Sequence, residues 1–230
     1  MLIPIRDENP TRRFPIVTIA LIAFNIAIFI YMFLVLPSRA TFNEFVARFA
    51  LFPGTITGQG ISGNPIEPVF LTIITSMFLH GGLLHIAFNM LFLWIFGNNV
   101  EDVLGRVKFI IFYLLAGTAG AFAHIATDPG STVPTLGASG AISGVLGAYL
   151  VLFPNARVLT VIPIIFFIEI IRVPAVILIG FWFILQLFSG LFELGLGTNG
   201  GGVAYFAHIG GFVAGVLLVL ILPRKRYYRR

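Results

Sequence analysis

Two polar residues with complementary chemistry stand at the head of two short apolar runs in this sequence. Ser139 begins a run that ends at Phe153, and His208 begins one that ends at Leu222. Each run is about fifteen residues, or about 22 Å as a helix, some 8 Å short of a hydrocarbon core of about 30 Å. Both residues are therefore predicted to lie inside the membrane, near its outer side. With no Asp or Glu near this depth in either run, a serine activated by a histidine would work as a dyad without a carboxylate.

A second polar cluster lies in the run F-L-H-G-G-L-L-H-I-A-F-N. His85 and Asn89 are four residues apart, so they share one helix face. Donors on that face, beside the free N–H groups at the start of the Ser139 helix, could stabilise an oxyanion. The spacing lacks the glutamate of a zinc-protease motif, so neither a metal nor a cofactor is expected. His80 and His124 are predicted to lie at the outer boundary, outside the site.

Glycines recur at helical spacing in both runs: Gly140, Gly144 and Gly147 in the first, Gly211 and Gly215 in the second. Such patterns form small surfaces on which two membrane helices approach closely. We expect this packing to bring a short serine side chain within reach of an imidazole.

The composition predicts a membrane protein, because 58% of the 230 residues are hydrophobic and only 10% are charged. A soluble domain of this size could not bury so much apolar surface. The predicted architecture is a single all-α domain, residues 1–230, with six transmembrane helices. Their predicted bounds are about 16–36, 84–100, 109–125, 139–153, 174–192 and 203–222.

Basic residues predict the orientation of this bundle. Nearly all of the 14 Lys and Arg residues fall on one side, and only Arg39 and Arg48 fall on the other. By the positive-inside rule, both termini are cytoplasmic. Binding of nucleic acid by the basic tail is the weaker interpretation, since charges beside a membrane helix normally face lipid headgroups.

The sequence also predicts the structure or position of three connecting segments. The long first outer loop, about 37–84, is amphipathic and places Phe42, Phe45 and Phe49 on one stripe, which predicts an interfacial helix. Segment 157–172 is expected to be an interfacial or re-entrant piece on the inner face. The glycine-rich loop 193–202 is expected to cap the site.

Several of these motifs together resemble the rhomboid family of intramembrane serine proteases: G-A-S-G, A-H-I-G-G-F-V-A-G, H-I-A-F-N and G-N-N-V-E-D-V-L-G. The resemblance implies a six-helix fold with Ser139 as nucleophile and His208 as general base. It further implies an oxyanion hole formed by His85, Asn89 and the Ser139 backbone. Glu101 matches the family's buried structural acid.

The sequence departs from the family pattern at two places. Many members carry an aromatic residue four positions after the nucleophile, packed on the histidine, whereas this chain has Ser143 there. Ser143 is expected to bond its own i−4 carbonyl instead. The first outer loop also lacks the family's Trp-Arg pair, and Arg48-Phe49 is the nearest match.

The leading functional interpretation is an endopeptidase that cleaves transmembrane segments of other membrane proteins near their outer end. The lipid bilayer and those substrates are the expected partners. The alternative is a catalytically silent relative that binds or escorts membrane proteins. A transporter is disfavoured, because the polar groups gather on the outer side only. The short six-span chain suggests a prokaryotic plasma membrane.

Overall fold

Ten α-helices and three β-strands make up the part of the chain that the computed structural model describes, residues 2–60, 65–164, 167–196 and 203–222. The basic tail after residue 222 and residues 197–202 of the predicted cap loop lie outside these ranges. In chain order the elements are β1 Ile3–Asp7, α1 Ile16–Ile30, α2 Arg39–Phe49, α3 Pro53–Thr57, α4 Leu71–Thr75, α5 Leu83–Phe92, α6 Asn98–Leu104, α7 Arg106–Thr127, α8 Ser139–Leu152, β2 Arg157–Ile164, β3 Phe167–Pro174, α9 Ala175–Leu196 and α10 Tyr205–Ile221.

Each of the six segments predicted to span the membrane coincides with helical structure. π-helical turns extend α1 to Val35 and join α5 to α6. Four of the resulting helices are long and apolar enough to cross a bilayer: Ile16–Val35, Leu83–Leu104, Arg106–Thr127 and Ala175–Gly195. The other two, α8 and α10, are apolar but shorter, with 14 and 17 residues. The count of six crossings therefore stays a prediction.

The expectation of an all-α chain is wrong, because residues 157–164 and 167–174 form strands. β1, β2 and β3 make an antiparallel sheet in that order. The two strands β2 and β3 are rich in valine, isoleucine and threonine, whose branched side chains favour strands.

The first outer segment folds back on the chain. Ser38 caps α2 by accepting a hydrogen bond from the Thr41 N–H, 3.2 Å away. The predicted apolar stripe of α2, Phe42, Phe45 and Phe49, packs with a buried cluster that includes Met32. The stripe thus contacts protein as well as any lipid beside it.

Buried polar groups join the N-terminal segment to α6 and to the C-terminal end of α8. The Glu101 carboxylate, 3% exposed, accepts hydrogen bonds from the N–H groups of Val17 and Thr18 at the start of α1. Asp7 accepts hydrogen bonds from Asn99 (2.7 Å) and Tyr149 (2.8 Å). Burial raises the pKa of the Asp7 carboxyl, and the hydrogen bonds to it oppose that rise.

The central helix α8 packs against α7 and α10 through the glycines noted in the sequence. A β-carbon at Gly211 would collide with the carbonyl oxygen of Gly140, and one at Gly215 with that of Gly144. A β-carbon at Gly147 would likewise collide with the carbonyl oxygen of Phe212. The two backbones therefore touch directly, with no side chain between them.

This contact predicts the effect of adding one methyl group. Gly215→Ala should lower the free energy of unfolding by about 1–3 kcal/mol, because the obstructing atom is a backbone oxygen that cannot rotate away. Gly180→Ala is the control, since nothing lies within 4 Å of a β-carbon there. Thermal unfolding in detergent micelles would measure both, and equal stability of the two variants would contradict the close approach.

Candidate active site

Ser139 is the first residue of α8, and the loop before it is held on both sides. Thr135 exchanges two backbone hydrogen bonds with Leu51, and the Gly137 N–H donates to the Ser76 carbonyl at 2.9 Å. At this position the Ser139 N–H has no partner within the helix. Ser139 also lines the cavity described below.

Gly137 allows this loop to pass close to His85. Its φ of +131° is disfavoured for residues with a side chain. A β-carbon there would lie 2.8 Å from both Cε1 and Nε2 of His85, and 3.6 Å from Oγ of Ser139. The His85 ring therefore sits directly beside the Ser139 turn, in space that only a glycine leaves free.

Two of the predicted oxyanion donors are held by α5. The Asn89 side chain is buried, and its Nδ2 donates to the His85 carbonyl at 2.8 Å. An amide nitrogen carries two hydrogens, so one remains to donate elsewhere. His85 and Asn89 are thus fixed relative to each other by the helix and by this bond.

His208 lies in the first turn of α10 and contacts α9. Its Nδ1 is 2.8 Å from Oε1 of Gln186. The Trp182 ring lies beside the His208 ring, with centroids 6.0 Å apart and planes tilted by 35°. Among the described residues, no hydrogen bond joins His208 to Ser139. Ser143 forms the expected i−4 bond, donating to the Ser139 carbonyl at 2.6 Å.

One cavity of about 790 Å³ brings these groups together. Its lining includes the four predicted residues, Ser139, His208, His85 and Asn89. Apolar side chains complete much of its wall, among them Leu84, Phe88 and Phe92 of α5 and Trp182 of α9. The arrangement pairs a hydroxyl and an imidazole with nearby N–H donors in a largely apolar surround.

The other two histidines differ in their relation to the cavity. His124, expected outside the site, lines the same cavity. His80 is not among the lining residues. Its ring is fully buried, lies edge-on to His85 at 5.1 Å, and has no hydrogen-bond partner for either nitrogen. Within the described ranges, no group of three or more His, Cys, Asp or Glu residues could hold a metal ion.

Sequence reasoning missed the role of α9 at this site. Trp182 and Gln186 are four residues apart, so they share the face that meets His208. The available signal was Gln186 itself, which with Ser189 is one of two polar side chains in the predicted span 174–192.

Helices able to cross a membrane, enclosing a cavity with a serine and histidines, define a multi-helix membrane protein with a buried polar site. The model of the Rhomboid domain matches residues 67–225, well over half of the chain. The chain therefore belongs to the rhomboid family, and it is an integral membrane protein.

Relatives come from bacteria and eukaryotes. The chain is 30% identical to Rhomboid protease GluP of Bacillus subtilis over 83% of its own length and 32% of that protein. It is 32% identical to Rhomboid protein 1, mitochondrial, of Saccharomyces cerevisiae, over 64% of the chain and 40% of that protein. The chain is also 32% identical to the Putative rhomboid protease YdcA of Bacillus subtilis, over 66% of its own length and 71% of that protein. It spans less than half the length of GluP and of Rhomboid protein 1.

The contact between Gly137 and His85 makes a stability prediction. Gly137→Ala should lower the free energy of unfolding by about 1–3 kcal/mol, since it adds a disfavoured backbone conformation and displaces the His85 ring. Gly82→Ala is the matched control on the neighbouring loop, where a β-carbon meets nothing within 4 Å. Thermal unfolding measures both, and a Gly137→Ala protein as stable as its control would refute the contact.

Proposed function

We propose that this protein is an intramembrane serine endopeptidase that cleaves transmembrane segments of other membrane proteins. The observation that supports this most is the lining of one cavity by Ser139, His208, His85 and Asn89. Membership of the rhomboid family, and similarity to proteins named rhomboid proteases, add to it. The proposed domain is the whole chain, residues 1–230.

In the proposed reaction, Ser139 Oγ attacks the carbonyl carbon of the scissile peptide while Nε2 of His208 accepts the hydroxyl proton. The carbonyl oxygen becomes an oxyanion that accepts hydrogen bonds from Asn89, His85 and the Ser139 N–H. The C–N bond then breaks, and the leaving amine takes the proton from His208. Water, deprotonated by the same histidine, hydrolyses the acyl-enzyme and restores the serine.

The surroundings of the site favour a substrate that is itself a membrane helix. Phe88 and Phe92 of α5 and Trp182 of α9 give the cavity apolar walls. A helical carbonyl is bonded within its own helix, so a substrate must unwind locally before attack. Residues that weaken helices near the cut should therefore help, and cleavage is expected near the outer end. The proposed location is a prokaryotic plasma membrane, with both termini cytoplasmic.

The nucleophile can be tested directly. Ser139→Ala should abolish both cleavage of a model transmembrane substrate and labelling by a fluorophosphonate probe, because the reacting oxygen is gone. Mass mapping should find the probe on Ser139 in the wild type. Ser143→Ala is the control, since Ser143 bonds only to the Ser139 carbonyl, and it should keep most activity.

Two results would contradict this proposal. Activity of Ser139→Ala above a tenth of wild type would remove Ser139 as nucleophile, since a tenfold loss is only about 1.4 kcal/mol of transition-state stabilisation. A wild-type protein that binds transmembrane substrates but neither cleaves them nor takes the probe would support the silent escort function instead.

The oxyanion donors make a separate kinetic prediction. Asn89→Ala should lower kcat by about 10²–10³ and leave KM nearly unchanged, because the donor acts on charge that develops in the transition state. His85→Ala should behave similarly. Steady-state kinetics on one substrate would measure both variants, and a rise in KM alone would identify the residue as a substrate contact.

A further inference from the structure

The contact of His208 with α9 extends the proposed mechanism to a residue that the sequence motifs do not include. The Gln186 side chain is half-buried, and its Oε1 lies 2.8 Å from Nδ1 of His208. An amide oxygen only accepts hydrogen bonds, so Nδ1 must carry the proton. A neutral imidazole with its proton on Nδ1 has Nε2 free as the acceptor.

The side chain four residues after Ser139 cannot orient this ring. Ser143 is short, and its hydroxyl is already bonded to the Ser139 carbonyl at 2.6 Å. On α9, by contrast, the Trp182 ring contacts the imidazole in a tilted arrangement, 6.0 Å between centroids, while Gln186 bonds its Nδ1. The two α9 residues are one helical turn apart, so a single helix face holds the ring by an aromatic contact and by a hydrogen bond.

We propose that Gln186 is a positioning residue that fixes the Nδ1-protonated tautomer of His208 and directs Nε2 towards Ser139. This inference rests on the proposed function for its catalytic meaning, but the tautomer itself does not depend on catalysis. When His208 accepts the serine proton, the same amide oxygen stabilises the imidazolium that forms. Hydrogen bonds to charged groups are stronger than those between neutral groups, so the contact gains strength in the transition state.

The first test measures the tautomer. Imidazole ¹⁵N spectra of labelled protein in detergent, with His208→Ala used for assignment, should show His208 protonated on Nδ1 in the wild type. Gln186→Met keeps the length and removes the acceptor, so the signal should move towards a mixture of tautomers. An Nε2-protonated His208 in the wild type, or spectra unchanged by Gln186→Met, would overturn the proposal.

The second test measures catalysis. Gln186→Met should lower kcat on the order of ten- to hundredfold with KM little changed, as expected for loss of one hydrogen bond to a charged group. Gln186→Glu keeps an acceptor at the same place and should restore much of kcat. Phe188→Leu, at a 68% exposed position on the same helix, is the control and should match wild type. A loss in Gln186→Met that appears only in KM would overturn the positioning role.

The pH profile separates positioning from general damage. A carboxylate beside the imidazole favours its protonated form, so Gln186→Glu should shift the acidic limb of kcat/KM to higher pH. The other titratable groups lining the cavity are the same in all variants: His85, His124, Asp128, Glu193 and Tyr205. A shift can therefore be assigned to position 186, and an unmoved acidic limb in active Gln186→Glu would count against the contact.

The two proposals fail in different ways. If Ser139→Ala and wild type cleave equally well, Ser139 fails as nucleophile, and if the wild type does not cleave, the peptidase assignment fails; in both cases the ¹⁵N spectra still decide the Gln186 contact. If the wild type cleaves and Ser139→Ala does not, but Gln186→Met keeps full activity and an unchanged tautomer, only the role of Gln186 fails.

Discussion

The direct backbone contact between α8 and α10 is the constraint on which the candidate site depends. Gly211 and Gly215 lie against the carbonyl oxygens of Gly140 and Gly144. Backbones in direct contact pack closely and form short Cα–H···O contacts. These contacts stabilise the helix pair, because lipid offers no hydrophobic driving force for helices to associate. A serine reaches only one atom beyond its β-carbon. Larger side chains between these helices would move His208 away from the cavity wall that Ser139 occupies.

A second set of interactions supports this contact at the ends of the helices away from the cavity. Glu101 accepts hydrogen bonds from the first N–H groups of α1, and Asp7 accepts one from the Tyr149 hydroxyl near the C-terminal end of α8. Each bond joins groups far apart in the chain, so the helices are tied together at that end. Among the described residues, no comparable set of buried carboxylates lies at the end that contains the cavity. Polar burial therefore stabilises the end of the bundle opposite the cavity.

The sequence predicts the helices well, because they follow from short-range patterns, and the four predicted site residues line one cavity. Apolar length marks the spans, glycine spacing marks the contact of α8 with α10, and equal run length predicts one depth for Ser139 and His208. The sheet was missed because apolar length outweighed the β-branched side chains of β2 and β3, and because β1 joins them from far away in the chain, Ile3 pairing with Val161. Gln186 was missed for a similar reason. Which residue of α9 faces His208 depends on how two helices rotate against each other, and periodicity alone does not give that angle.

The sheet has a mechanical consequence for α9. This helix starts at Ala175, directly after β3 ends, and its first N–H groups donate to the carbonyls of Ala156 and Pro154 at 2.8 and 3.2 Å. The end next to β3 is thereby anchored, whereas no strand among the described residues holds the other end. A 22-residue helix is about 33 Å long, so a tilt of about 10° about that anchor displaces the far tip by about 6 Å. Gln186 sits near the midpoint of this lever, so the same tilt would draw it from the imidazole by about half as much.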